Sequence, residues 1–242
     1  MKINESPSNL PSIKPVKEIM GVNIEGINPN IPHKNGFIYT LIGSPGTGKS
    51  SLLLSLFKSK DYYKMKFEKI FLITPESSFL SVQNHPFKNH SNVYHELDES
   101  ILQMIYEDCL GRKQESITEK MSVEHSCLII DDFASELKNQ DIINALKRIL
   151  TKSRHIALSI VFTLQAYNLF PMVLRKMITN VSIFKPKNKE ELVSLQKEII
   201  PLNKEQTELL MDYVYSEPYS HLDIDTGSGE LRKNFNLLTV ER

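Results

Sequence analysis

Eight consecutive residues, Gly43, Ser44, Pro45, Gly46, Thr47, Gly48, Lys49 and Ser50, fit the spacing G-x-x-x-x-G-K-[ST] in full. Glycines at this spacing let backbone amides turn inward on phosphate oxygens at the start of a helix. The residue types then predict that Lys49 neutralises charge on the β- and γ-phosphates and that Ser50 ligates Mg²⁺. A Gly/Pro turn can fit such a pattern by accident, but here an apolar run precedes it and the helical stretch SSLLLSLFKS follows.

A second group of polar residues closes an apolar run. In Cys127-Leu128-Ile129-Ile130-Asp131-Asp132 the two acids stand where a strand ends, at the crevice in which α/β sheets bind ligands. Asp131 is expected to hold Mg²⁺, directly or through water. Asp132 is expected to polarise an attacking water as general base, or alternatively to cap the next helix. Gln165 ends another apolar run (FTLQ), where an amide can touch the γ-phosphate and report its loss; the other reading is a strand-end amide bonding to backbone. A strand intervenes between the phosphate loop and the acids, a second acid adjoins the first, and no N-K-x-D guanine-reading motif occurs. Those features point to hydrolysis of ATP by water, with Mg²⁺.

These groups need a scaffold that brings strand ends together. Apolar strands are expected at residues 37–42, 69–74, 126–131, 155–163 and 178–184, and helices at 98–110, 142–150, 190–199 and 204–215. Near-continuous apolar strands imply burial on both faces, hence a doubly wound, mainly parallel α/β sheet with flanking helices. The end of the chain alternates apolar and polar residues around Gly227 and Gly229 and reads as a β-hairpin. Residues 1–35 carry Pro7, Pro11, Pro15, Pro29 and Pro32 and read as an irregular arm, with a short strand or turn near residues 16–24. The arm is either a poorly ordered tail or a clasp onto a neighbouring subunit. The expected division is thus an arm, 1–35, and one ATPase domain, 36–242.

The chain has 242 residues, 29 Lys and Arg against 29 Asp and Glu, and 40% apolar residues. A sizeable core is possible, and a uniformly basic DNA-coating protein is excluded. Charge is nevertheless uneven: residues 138–189 hold ten basic side chains and one acid, whereas residues 190–242 hold 11 acids and 5 bases. The basic stretch fits sequence-independent phosphate contact, a solvated face, or half of a subunit contact against the acidic end. Cys109 and Cys127 have no ligand spacing around them, which fits a reducing intracellular setting. No apolar run reaches the ~18 residues of a membrane span, and the polar N-terminus is unlike a signal peptide.

The segments GSPGTGKSS, CLIIDD, SRHIALSIVFTLQ and PMVLRKMITNVSIF together resemble the FtsK–HerA superfamily of RecA-like motor ATPases, most closely the pox-type genome-packaging ATPases of large DNA viruses and virophages. The resemblance runs from about residue 36 to 189. It implies a RecA-like P-loop NTPase of the ASCE group and extends the nucleotide-binding set to Ser51. It further implies a ring, expected to be a hexamer, that threads double-stranded DNA into a capsid by way of a capsid or portal-vertex protein, in the host cytoplasm and also in the virion. Family members supply an arginine to the neighbour's ATP; Arg154, eleven residues before Gln165, resembles that residue most, and Arg175 ranks second. Each can also be read as a surface arginine. The chain departs from many cellular members in carrying Asp132 where Glu is usual. Alternatives are another RecA-like or AAA+ machine, such as a helicase or its loader, and a nucleotide-dependent assembly switch with negligible turnover.

Overall fold

A computed structural model describes residues 23–239. In chain order the strands are β1 (Ile38–Ile42), β2 (Lys69–Ile73), β3 (Val93–Tyr94), β4 (Ser126–Asp131), β5 (Leu158–Leu164), β6 (Asn180–Phe184), β7 (His221–Asp225), β8 (Leu231–Lys233) and β9 (Asn236–Leu237). The helices are α1 (Lys49–Lys58), α2 (Glu76–Leu80), α3 (Glu99–Thr118), α4 (Gln140–Lys152), α5 (Met172–Arg175), α6 (Lys189–Glu198) and α7 (Lys204–Val214).

Among the described residues the nine strands form one sheet in the order β3-β2-β4-β5-β1-β6-β7-β8-β9. The pairs from β3 to β6 are parallel, and β7, β8 and β9 join antiparallel. The apolar runs dictate this arrangement. Every residue of β1 and β5 is buried, as is all of β4 except Asp131, which requires helices on both faces. One face packs Leu128, Ile130, Ile160 and Phe162 against α3, α4 and α7; the other packs Tyr39, Leu41, Ile129 and Val161 against α1 and an aromatic group of Phe37, Phe57, Tyr63 and Phe67. Truncating a side chain as enclosed as Phe162 would cost about 3–5 kcal/mol.

The doubly wound architecture and the terminal hairpin agree with the sequence pattern, and the departures have physical causes. β5 starts at Leu158 rather than residue 155, because a turn with Ala157 at φ 51 occupies the approach. α3 runs eight residues beyond the expected end, through Gly111, because Arg112 is held by Asp108 at 2.9 Å and by Ser126 Oγ at 2.7 Å. α2 and β3 have too few residues to show a period. Of the turn or strand expected near residues 16–24, and of the arm's possible clasp, residues 1–22 lie outside the described part. Asn23 bridges antiparallel to Lys34. Ile24, Ile27 and Ile31 are buried in the α1 face of the core, and Tyr63 Oη donates to Pro32 O at 2.9 Å. The domain's core therefore extends N-terminal of residue 36.

Candidate active site

The phosphate-type loop occupies the turn from β1 into α1. Gly46 (φ 79) and Gly48 (φ 107) take left-handed backbone conformations that a side chain would strain. A Cβ on Gly43 would lie 2.7 Å from both Phe184 Cβ and Thr47 Oγ1, so that position admits only glycine. The loop is closed by Thr47 Oγ1 donating to Ser44 O at 2.8 Å and by Gly43 N donating to Leu164 O at 3.0 Å. The longer helices differ at their N-termini. Asp98, Asn139, Asn188 and Asn203 accept bonds from the first amides of α3, α4, α6 and α7, whereas α1 begins at Gly48 with no side-chain cap. The α1 amides are thereby left for an anion, with the helix dipole behind them.

Lys49 folds back over the loop, donating to Gly43 O and to Ser44 O at 3.1 Å. Burial pulls its ammonium below the usual lysine range, against the opposing pull of Asp132 and Asp131. Asp131 sits at the tip of β4, in register with Thr163 on β5. Thr163 Oγ1 donates to its Oδ1 at 2.5 Å, and Thr74 Oγ1 donates to its Oδ2 at 3.3 Å. Burial raises the Asp131 carboxyl above the ordinary range, and the neighbouring Asp132 raises it further, while the hydroxyls act the other way. A half-buried carboxylate held by two neutral hydroxyls is suited to a cation.

Asp132 takes a left-handed backbone (φ 59) with its amide donating to Thr163 Oγ1 at 3.0 Å. One threonine hydroxyl thus fixes both acids. Gln165 Nε2 donates to Asp132 Oδ1 at 2.9 Å, joining the tips of β4 and β5 by side chains. Asp132 does not cap the next helix: the 3₁₀ turn after it starts behind Ser135, and α4 is capped by Asn139. Gly46, Gly48, Lys49, Asp131, Asp132, Thr163 and Gln165 line one cleft of about 850 Å³ that also receives Phe184, Tyr219, His221 and, from the segment after β2, Ser78, His85 and Phe87. Ser50 and Ser51, the first residues after Lys49 in α1, also line it.

The two arginines part company. Arg154 is exposed in the turn before β5, at the edge of the sheet opposite the cleft. That turn is docked on the approach to β1, with Ser153 Oγ donating to Gly36 O at 3.0 Å and Asn35 Nδ2 donating to Arg154 O at 3.3 Å. A Cβ on Gly36 would come within 2.6 Å of Arg154 N. Arg175 is engaged within its own subunit. Its Nε donates to Phe170 O at 2.7 Å, its Nη2 to Asn168 O at 3.0 Å, and its Nη1 pairs with Glu198 Oε1 at 3.1 Å. The guanidinium also lies 4.6 Å from the Tyr167 ring. With every nitrogen engaged inside its own subunit, Arg175 braces the loop after Gln165 and does not reach outward. The basic face is partly spent as well. On α4, Arg148 stacks over Tyr106 and donates to Gln103, and Lys152 donates to Tyr106 Oη; Lys147 stays exposed.

Thr74, Thr163, Phe184 and Tyr219 were not expected at the site. Thr163 had one visible signal, its place two residues before Gln165 at a strand end. The others depend on which strands become neighbours.

Comparison with known proteins adds to this geometry. The family described as Poxvirus A32 protein matches residues 30–214. No curated protein matches the chain. Among solved structures, B204, the DNA-packaging ATPase of Sulfolobus turreted icosahedral virus, is similar with a TM-score of 0.58 at 18% identity, over 86% of this chain and 99% of that one. The genome-packaging NTPase B204 of Sulfolobus turreted icosahedral virus 2, in complex with ATPγS, gives 0.56 at 17% identity, over 82% and 96%. The conjugation coupling protein TcpA of pCW3, with ATPγS, gives 0.60 at 10% identity, over 84% and 60%. At such identities these structures speak for the RecA-like P-loop fold.

Proposed function

The chain belongs to the poxvirus A32 protein family, and we propose from that premise that it is an ATPase whose hydrolysis drives double-stranded DNA into a viral capsid. The observation that carries the reading is the hydrogen bond between Gln165 and Asp132 at the strand tips, in one cleft with Gly46, Gly48, Lys49 and Ser50 of the phosphate loop. A protein that only binds nucleotide has no need of a carboxylate for water and an amide wired to it.

ATP is the substrate. Gly43, Ser44, Pro45, Gly46, Thr47 and Gly48 wrap its phosphates, Lys49 exchanges its loop carbonyls for phosphate oxygens, and Ser50 and Ser51 meet them at the start of α1. The Asp131 carboxylate, half-buried and held by neutral hydroxyls, would fit Mg²⁺ with Ser50. Among the described residues no three His, Cys, Asp or Glu side chains form a metal cage, as suits an ion that takes most of its ligands from phosphates and water. Mg²⁺ there supplies neutralisation of charge developing on the phosphates. Asp132 takes the proton from the attacking water. Gln165, bonded to Asp132, senses the change when the terminal phosphate leaves and passes it to the loop braced by Arg175. Arg154, on the far edge, acts on the ATP of the next subunit in a head-to-tail ring, which we expect to be hexameric.

DNA is gripped without regard to sequence, through phosphates and exposed lysines such as Lys147. No helix among the described residues is long and apolar enough to cross a membrane. The protein works in the host cell during virion assembly, docked on a capsid or portal-vertex protein.

The test is ATP hydrolysis by the purified chain with and without long double-stranded DNA. Stimulation by DNA of any sequence is expected, together with a loss of about 10²–10³ in kcat for Lys49→Ala. Hydrolysis indifferent to DNA would remove the motor reading and leave an ATPase of another kind.

A further inference from the structure

The cleft continues past the phosphate loop. Its acidic end, Asp131, Asp132 and Gln165, stands on the tips of β4 and β5, to one side of β1. A triphosphate whose last phosphate faces those groups must carry its nucleoside to the other side, over the tips of β6 and β7. There the wall is made by Phe184, Pro218 and Tyr219.

Tyr219 is unusual for an aromatic residue in a cleft. It is 73% exposed, and its backbone holds φ 61, a region costly for a bulky residue. Its ring stands beside the phosphate loop: a Cβ on Gly48 would meet the Phe184 ring at 3.3 Å and the Tyr219 ring at 3.5 Å. The loop beneath it is braced from three sides. Tyr215 Oη donates to Ile183 O at 2.8 Å. Asn234, at the turn between β8 and β9, accepts from His221 N at 2.9 Å and donates to Ser220 Oγ at 3.4 Å. Lys233 pairs with Glu217 at 3.6 Å and donates to Tyr213 O at 3.2 Å. A strained, exposed ring on a braced loop persists where the surroundings over-determine it, and such positions cluster at ligand clamps.

We propose that Tyr219, backed by Phe184, is the platform on which the base of the bound nucleotide stacks. The proposal rests on reading the cleft as an ATP site. A ring face takes any base, since each base has a π-face; the platform therefore distinguishes a nucleotide from bare polyphosphate but gives little choice among nucleotides.

The experiment measures binding of ATP and of inorganic tripolyphosphate to the full chain by calorimetry, for the unaltered protein, Tyr219→Ala and Tyr219→Phe. Tyr219→Ala is expected to weaken ATP by ~10-fold while tripolyphosphate affinity is unchanged, and Tyr219→Phe is expected to bind ATP normally. ATP affinity unaltered in Tyr219→Ala would overturn the proposal. So would an equal loss for both ligands, which would make Tyr219 a support of the loop only. An unaltered protein that binds neither ligand would instead overturn the nucleotide reading on which the proposal stands.

Discussion

The parallel strands end in different company at their two edges. At the C-terminal edge, Lys49, Asp131, Asp132, Thr163 and Gln165 converge, and hydroxyl and amide bonds of 2.5–3.0 Å tie β4 to β5. At the N-terminal edge the same sheet turns through backbone contacts, with Asn35 and Ser153 clasping the approach to β1 and Arg154 left exposed. Among the described residues, one edge has carboxylates and a lysine in a cleft, and the other presents the exposed Arg154. The difference teaches that the cleft and the exposed arginine stand a strand's length apart in one subunit, so the role proposed for Arg154 requires a second subunit.

Arg154→Ala strikes at that contrast most directly. It should lower kcat by about 10³–10⁵ while leaving ATP affinity nearly unchanged. Mixing it with Lys49→Ala protein should restore part of the activity, because some interfaces then pair an intact loop with an intact arginine. Hydrolysis at the normal rate in Arg154→Ala would reduce the N-terminal edge to a surface and dissolve the comparison.

Arg175→Ala sharpens the distinction between an arginine for the neighbour and one for its own subunit. It removes bonds to Phe170 O, Asn168 O and Glu198, at a cost of about 1–3 kcal/mol. Thermal denaturation should show a melting point lower by several degrees, with kcat of the folded fraction little altered. A collapse of kcat at unchanged stability would put Arg175 back among the groups that reach ATP.

The smallest effect concerns Asp131. Burial raises its carboxyl above the ordinary value, so the folded nucleotide-free protein binds a proton that the unfolded chain releases. Between the ordinary carboxylate pKa and the raised one, stability therefore falls as pH rises. Asp131→Asn should raise the melting point of the nucleotide-free protein slightly at neutral pH and flatten its pH dependence, while abolishing the gain in melting point that Mg²⁺ with ATP confers on the unaltered chain. A lower melting point in Asp131→Asn would mean that the charged form is already well compensated without a cation.

Much of the C-terminal edge was legible because its chemistry is local in sequence. The phosphate loop, the two acids after an apolar run and Gln165 after another each sit in a contiguous segment, and burial of both sheet faces shows as unbroken apolar strands. Thr74 and Tyr219 were not legible, since their importance arises from β2 lying beside β4 and β7 beside β6, pairings that no periodicity encodes. The contacts of Arg175 were hidden for a like reason: its nitrogens bond to the carbonyls of Phe170 and Asn168 in its own loop and to Glu198, 23 residues away. The stretch between β2 and α3 stayed blank because a five-residue helix and a two-residue strand complete no period, yet it supplies His85 and Phe87 to the cleft.

β5 has seven residues, all buried, and lies between β4 and β1 in the middle of the sheet. Arg154 lies just before its beginning and Gln165 just after its end. A strand of that length spans about 23 Å and, packed on both faces, resists bending or sliding. It behaves as a stiff pushrod: in the ring proposed above, displacement of Gln165 at one end would be delivered, with little loss, to Arg154 at the other, and firing order would follow from strand stiffness without a separate messenger.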